Sequence, residues 1–467
     1  MKTYPEYKDS NLPWLGRIPT EWNLKRAKWY LKSKKEINTD GSCRDVLSLT
    51  LRGVVDNDPD KPEGLVPNDY RSYQIFEKNN LVFKLIDLEN YKTSRVGLVH
   101  RRGIMSPAYI RVIVDSPDLS PKFYYYFYYS LYLQGVYNKI GAGVRATLSA
   151  KRLLDLPIPI PEKQEQDKIS FFLDRKLNQI AKFIRNKRRL IQLLQEQKQA
   201  IINQAVTRGI NPNVRLKPSG VDYLGGIPEH WEVLPIKRAL SSMTYGILER
   251  ARDVGEYRVL GMGHIKDGNV KVENCGRIDN VPFDLILEKD DLLFNRTNSR
   301  ELVGKVGIFT GDKANKVTFA SYLVRMKVNK KVFPRYMNYI LNSYNVISVA
   351  RQNAIPSLHQ SNLNATRYGR LLIPLPPKRE QKDILAYIET KCSIIDVIIM
   401  RAKQEIDLIR EYRTRLISDV VTGKIDVRNI PVEPIEESQS DEGLDMVEEE
   451  QMQEELENFE EKTYENL

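Results

Sequence analysis

Two windows dense in hydrogen-bonding side chains recur at matching places along the chain. In the first copy, Lys92-Thr93-Ser94-Arg95 and the pair Arg101-Arg102 flank the apolar segment Val96–Val99, and the flexible basic stretch Gly141-Ala142-Gly143-Val144-Arg145 follows. In the second, Asn295-Arg296-Thr297-Asn298-Ser299-Arg300 precedes the like segment Val306–Phe309, and Arg351-Gln352-Asn353 with His359-Gln360-Ser361-Asn362 comes later. Arg, Asn and Gln offer paired donors and acceptors that match base edges, while Lys and Arg neutralise phosphate oxygens. The candidates for contact with a nucleic acid are therefore Lys92, Arg95, Arg101, Arg102 and Arg145 in the first copy. In the second they are Asn295, Arg296, Asn298, Arg300, Arg351, Gln352, His359 and Gln360. Arg95, Arg145, Arg296 and Arg351 lead both sets, for bases or phosphates alike. Ordinary polar loops share this composition, so the weight rests on the correspondence of place.

No residues spaced for bond-making accompany these windows. A base-flipping adenine methyltransferase needs an Asn/Asp-Pro-Pro-Tyr type element, and the chain has only the turn Asn211-Pro212-Asn213. A phosphate loop needs Gly-x-x-x-x-Gly-Lys-Ser/Thr, whereas Thr422-Gly423-Lys424-Ile425 lacks both the first glycine and the hydroxyl. Glu196-Gln197-Lys198 has no upstream Pro-Asp partner, and the glycine pairs at 141/143 and 261/263 fail the dinucleotide fingerprint. Cys43, Cys275 and Cys392 are isolated and the four histidines are scattered, so neither a zinc site nor a disulfide framework is expected. The expectation is a chain that is not an enzyme and binds no cofactor itself.

The aromatic run from Phe123 to Tyr129 invites a base-stacking reading. Its counterpart begins at Tyr336, where Tyr126 maps to Tyr339 and Phe127 to Ile340, after a proline suited to a helix start. Helical core packing is the expectation, with one or two tyrosines left exposed.

Charge supports a polyanionic partner. The net charge is +11, but from Glu433 onward the tail holds 15 Asp and Glu against Lys462 alone, leaving 71 basic and 46 acidic residues in 1–432, a balance of +25. Such an excess points to nucleic acid, against the alternative of a generally basic solvated surface. No apolar run approaches the ~20 residues of a membrane span, and the first residues contain no signal-like hydrophobic stretch. A cytoplasmic protein is the expectation, with no membrane partner.

The elements that must position these windows are duplicated. Leu15-Gly16-Arg17-Ile18-Pro19-Thr20-Glu21-Trp22 returns as Leu224-Gly225-Gly226-Ile227-Pro228-Glu229-His230-Trp231 at an offset of 209. Pro159-Ile160-Pro161-Glu162-Lys163-Gln164-Glu165-Gln166 returns as Pro374-Leu375-Pro376-Pro377-Lys378-Arg379-Glu380-Gln381 at 215, a drift that a few loop insertions explain. After each closing element comes a 3-4 spaced run. One reads Ile169, Leu173, Leu177, Ile180, Ile184, Lys187, Ile191, Leu194, Lys198, Ile201, Ala205; the other is its shifted copy from Ile384 to Val420, with Arg413 where Lys198 stands. Five heptads of this kind predict a coiled-coil seam on a helix of about 40 residues, roughly 60 Å long. Mutual antiparallel pairing about a pseudo-twofold axis is favoured over each helix folding back on its own domain.

This organisation resembles the specificity subunit of type I restriction-modification systems, through the tryptophan-containing openings, the Pro-x-Pro-x-x-x-x-Glu-Gln elements and the helices after them. The resemblance covers residues 1 to about 430. It implies an α+β chain of two mixed α/β target-recognition domains in pseudo-twofold repeat, separated by two long antiparallel coiled-coil helices. The corresponding boundaries are 1–162 and 210–377 for the domains, 163–209 and 378–424 for the spacer helices, and 425–467 for an acidic, disordered or solvated tail that departs from the family's pattern. It further implies that each domain reads half of an asymmetric bipartite site in double-stranded DNA. The helices would dock two modification subunits that methylate adenine with S-adenosylmethionine, joined in the full assembly by restriction subunits that use ATP and Mg. A stand-alone site-specific DNA-binding regulator is the alternative.

Overall fold

The computed structural model describes residues 2–51, 53–58, 69–86, 88, 94–141, 147–357 and 360–431. Lys92, Arg145, His359 and residues 432–467 of the acidic tail lie outside them. The described residues fall into two units, one within Met1–Arg188 together with those from Lys403 onward, the other within Arg189–Ala402. This division does not follow chain order, because each unit takes the start of one long helix and the end of the other.

Four helices carry the architecture: α1 (Pro121–Leu133), α2 (Lys163–Arg208), α3 (Pro334–Leu341) and α4 (Lys378–Val421). Proline occupies the start of α1 and α3, where its missing N–H costs nothing. Both long helices stop at a glycine with φ of +76°, Gly209 and Gly423, a conformation that other residues adopt only at a cost. On α2, Ile169, Leu173, Leu177, Ile180 and Ile184 are buried, and on α4 so are Ile384, Ile388, Cys392, Ile395, Ala402 and Ile406.

In the first unit a four-stranded sheet has the order Leu31–Ser33, Ile110–Val114, Leu81–Phe83, Val96–Leu98, with every pair antiparallel. In the second, Leu240–Tyr245, Leu323–Val328, Leu292–Asn295 and Val306–Ile308 repeat that order within a six-stranded sheet. Register is kept as well, since Leu81 faces Leu98 and Phe83 faces Val96, while Leu292 faces Ile308 and Phe294 faces Val306. The repeat seen in sequence is therefore a repeat of strand order and pairing. All residues from Phe123 to Tyr129 are buried, so this run is core, with none of the exposed tyrosines expected of it. Tyr126 donates to Asp174 on α2 at 2.6 Å and Tyr124 to the Pro159 carbonyl at 3.0 Å, which explains why a core helix tolerates so many hydroxyls.

The Glu-Gln pair joins each long helix to its domain. Gln166 is fully buried; its amide donates to the carbonyls of Pro161 (2.8 Å) and Asp118 (3.2 Å) and accepts from the Ser120 N–H (2.8 Å), just before α1. Gln381 does the same with Pro376, Lys331 and the Phe333 N–H before α3, each at 3.0 Å. Glu380 accepts from the Trp231 indole at 3.0 Å and contacts His230 at 2.7 Å, and Glu165 accepts from the Tyr4 hydroxyl at 2.5 Å. Burial raises the Glu165 carboxyl above its ordinary value.

Helix ends dock on the openings. In the second unit Gly209, at the end of α2, lies under Trp231 and Glu380; in the first, Gly423 at the end of α4 lies against Pro19 and Trp22. Residues 425–431, expected to begin the tail, are docked instead. The Asp426 N–H donates to the Lys2 carbonyl at 2.9 Å, and Arg428 pairs with Glu21 at 2.8 Å.

Candidate nucleic-acid interface

The two sequence windows of the second unit meet. Thr297–Asn298 pairs antiparallel with Ser361–Asn362, which also pairs with Ile355–Pro356, forming a three-stranded sheet built from both windows. The Leu363 N–H donates to the Arg296 carbonyl at 2.8 Å. In the first unit the equivalent bond runs from the Leu148 N–H to the Leu85 carbonyl at 2.9 Å, at offsets of 215 and 211. Both units thus bring the segment before the closing element against the end of the same sheet strand.

Within this frame the side chains differ in availability. Arg296 is half-buried, with its guanidinium over the Tyr245 ring at 5.2 Å and bonded to the Asn362 side chain (3.2 Å) and the Ser321 carbonyl (3.4 Å). It is held in place while part of it faces outward. Arg300, Gln352 and Gln360 are exposed. Asn295 and Asn298 are enclosed: Asn295 donates to the Met262 carbonyl at 3.0 Å, and Asn298 accepts from the Ser299 N–H at 2.8 Å. Their amides brace the loop.

Gly304, with φ of +87°, packs against Ala350, and this close approach sets Lys305 beside Arg351. Both side chains are half-buried. Burial and then the nearby Arg351 push the Lys305 ammonium below its ordinary value, and burial lowers that of Arg351 against the pull of Glu301. Two neighbouring cations in a partly desolvated place form a setting that an anion such as a phosphate relieves.

Among the described residues, the first unit's candidates are less available. Arg95 is 1% exposed, and its guanidinium donates to the Ile86 carbonyl at 3.3 Å. It equals Lys305 by position, since the Lys84 N–H bonds the Arg95 carbonyl as the Asn295 N–H bonds that of Lys305. An enclosed guanidinium touches no DNA without local opening, so Arg95 stands here as part of the fold. Arg101 pairs with Asp56 (2.8 Å) and Asp45 (3.2 Å), and Arg102 with Glu77 (3.2 Å), leaving these cations largely neutralised on the surface.

Sequence reasoning passed over Tyr245 and Tyr322, exposed beside Arg296, and Leu248, exposed three residues beyond Tyr245. Their apolar character alone signalled them, and such residues read equally well as core. Among the described residues no group of three His, Cys, Asp or Glu is placed to hold a metal ion, and no helix is long and apolar enough to cross a membrane.

The α+β scaffold is duplicated, with strand order and register kept in both copies. The family model of the type I restriction modification DNA specificity domain matches residues 62–199 and again 231–407, and the chain belongs to that family. It is 27% identical over 205 residues to a Methanocaldococcus jannaschii chain named for the MjaX type I restriction enzyme specificity subunit, covering 43% of this chain and 47% of that one. It is 24% identical over 317 residues to the StySPI specificity subunit of Salmonella potsdam, covering 66% of each. These matches span from about half to two thirds of the relatives' lengths. A chain from a structure on complex assembly of a type I restriction-modification system shares the fold, with a TM-score of 0.66 at 11% identity over 87% of this chain and 99% of that one. The HsdS subunit of Thermoanaerobacter tengcongensis shares it with a TM-score of 0.52 at 13% identity, over 89% and 100%.

Proposed function

We propose that this chain is the DNA-reading subunit of a type I restriction-modification complex, each unit recognising one half of an asymmetric, bipartite double-stranded target. The observation that carries this reading is the meeting of the two polar windows of the second unit, where Thr297–Asn298 pairs with Ser361–Asn362, on a frame whose Leu363–Arg296 bond the first unit repeats as Leu148–Leu85. One scaffold used twice with different loop side chains suits two different half-sites.

The long helices act in this reading as an antiparallel coiled-coil spacer about a pseudo-twofold axis. Lys187 pairs with Glu405 at 2.5 Å in the first unit and Lys198 with Asp396 at 2.6 Å in the second, so 11 residues forward on α2 correspond to 9 back on α4. Opposite running directions suit that pairing. The helices also dock two modification subunits that methylate adenine with S-adenosylmethionine; restriction subunits, where present, bring ATP and Mg. This chain supplies position and sequence choice, and the reacting groups belong to its partners. Its working place is the cytoplasm of a prokaryotic cell.

Mapping methylated adenines across the genome in cells with and without this gene tests the reading. One bipartite motif should lose methylation throughout the genome when the gene is removed. An unchanged methylation map would refute it.

A further inference from the structure

Leu248 is 91% exposed, more than any other large apolar side chain among the described residues. The backbone beside it is firmly held. The Ile247 N–H donates to the Phe319 carbonyl at 2.9 Å and the Ser321 N–H to the Ile247 carbonyl at 2.8 Å. Gly246 lies so close to the carbonyls of Phe319 and Ala320 that a Cβ there would collide with both. The leucine is therefore held outward by packed backbone on its N-terminal side.

Its surroundings are those of an interface. Tyr245, three residues before it, is 43% exposed and carries the Arg296 guanidinium on its ring; Tyr322 is 46% exposed, and its carbonyl accepts the Arg296 N–H at 3.0 Å. Arg250 is exposed two residues further on. Apolar surface grouped around an anchored arginine, on a body of charge +25, suits a partner that is both anionic and locally apolar. DNA presents that combination in the major groove, where the thymine 5-methyl group stands beside base-edge acceptors and between phosphate rows.

We propose that Leu248, flanked by Tyr245 and Tyr322, contacts the 5-methyl group of one thymine in the half-site read by the second unit, while Arg296 bonds an adjacent base edge. The proposal rests on the DNA-reading function given above and names one chemical group that it recognises.

Uracil in place of thymine removes only that methyl and leaves base pairing intact. Once the target is known from the methylation map, the full chain in its complex is titrated with duplexes carrying uracil at one thymine position at a time. Loss of about one buried methyl is worth roughly fourfold in affinity, so wild type should weaken about fourfold at one position in the second unit's half-site. Leu248→Ala should bind the thymine duplex more weakly by a similar factor and be indifferent to uracil there. Because the side chain is exposed, the melting temperature of Leu248→Ala should equal that of wild type. Binding by wild type that ignores every uracil, or an equal uracil effect in both proteins, overturns the Leu248 contact while leaving the function standing. If no motif depends on the gene, the functional reading itself falls, and the contact with it.

Discussion

Gln166 and Gln381 show how one side chain carries a motif. Each amide, itself fully buried, satisfies two carbonyls and one N–H drawn from two separate stretches of chain. Truncating Gln381 to Ala leaves the Lys331 and Pro376 carbonyls and the Phe333 N–H without that partner, and a buried unsatisfied group costs about 1–3 kcal/mol. The Gln381→Ala variant should therefore lose about 2–4 kcal/mol of stability in urea unfolding, with the second unit unfolding first; an unchanged midpoint would show that the amide is dispensable. This motif was visible in sequence as a repeated Glu-Gln after Pro-x-Pro, but its clamp was not, because two of the three groups it satisfies lie about 50 residues away. Arg95 illustrates the opposite difficulty. Its type and place were those of a surface cation, and only the fold shows it bonded to the Ile86 carbonyl inside the first unit. Leu248 escaped notice for a related reason: hydrophobicity in a sequence reports a tendency to be buried, and exposure enforced by a neighbouring strand leaves no trace in it.

Among the elements, the long helices were the most legible, since a seam repeated over five heptads admits few other structures. Their stops at Gly209 and Gly423 were legible too, through the left-handed backbone each requires. What the sequence did not disclose is that the end of each helix joins a different unit from its start. That assignment depends on tertiary contacts, such as Gly423 against Trp22, between residues about 400 apart in the chain. In the first unit, the ion pair between Lys187 and Glu405 reports the register of α2 against α4. Pairs this exposed contribute only about 0.2–1 kcal/mol, so the effect must be read as a difference. Lys187→Glu should lower stability by up to ~1 kcal/mol, and adding Glu405→Lys should restore most of it. If the double variant is no more stable than the single one, the two side chains do not meet in solution.

For the molecule as a whole, the spacer reading makes the distance between half-sites a property of helix length. Removing one heptad from α2 and the facing heptad from α4 shortens a helical bar by about 10 Å, at 1.5 Å per residue. Along B-DNA that is about three base pairs, at ~3.4 Å each. The two effects do not rotate alike. A heptad changes the helix phase by only ~20°, whereas three base pairs turn the duplex by roughly 100°, given ~10–10.5 per turn. The shortened protein therefore faces a conflict: a gap three base pairs smaller fits its length but presents one half-site on the wrong side of the duplex. Sequencing methylated adenines in cells that carry the paired deletion should accordingly show the original motif unmodified, either with a different gap between unchanged half-sites or with no motif at all. Deleting the heptad from α2 alone also breaks the match of Lys187 to Glu405 and of Lys198 to Asp396, and should abolish methylation outright. Continued methylation of the original motif at its original gap by the paired deletion would show that the helices do not set the spacing, and that the two readers are held apart by something else.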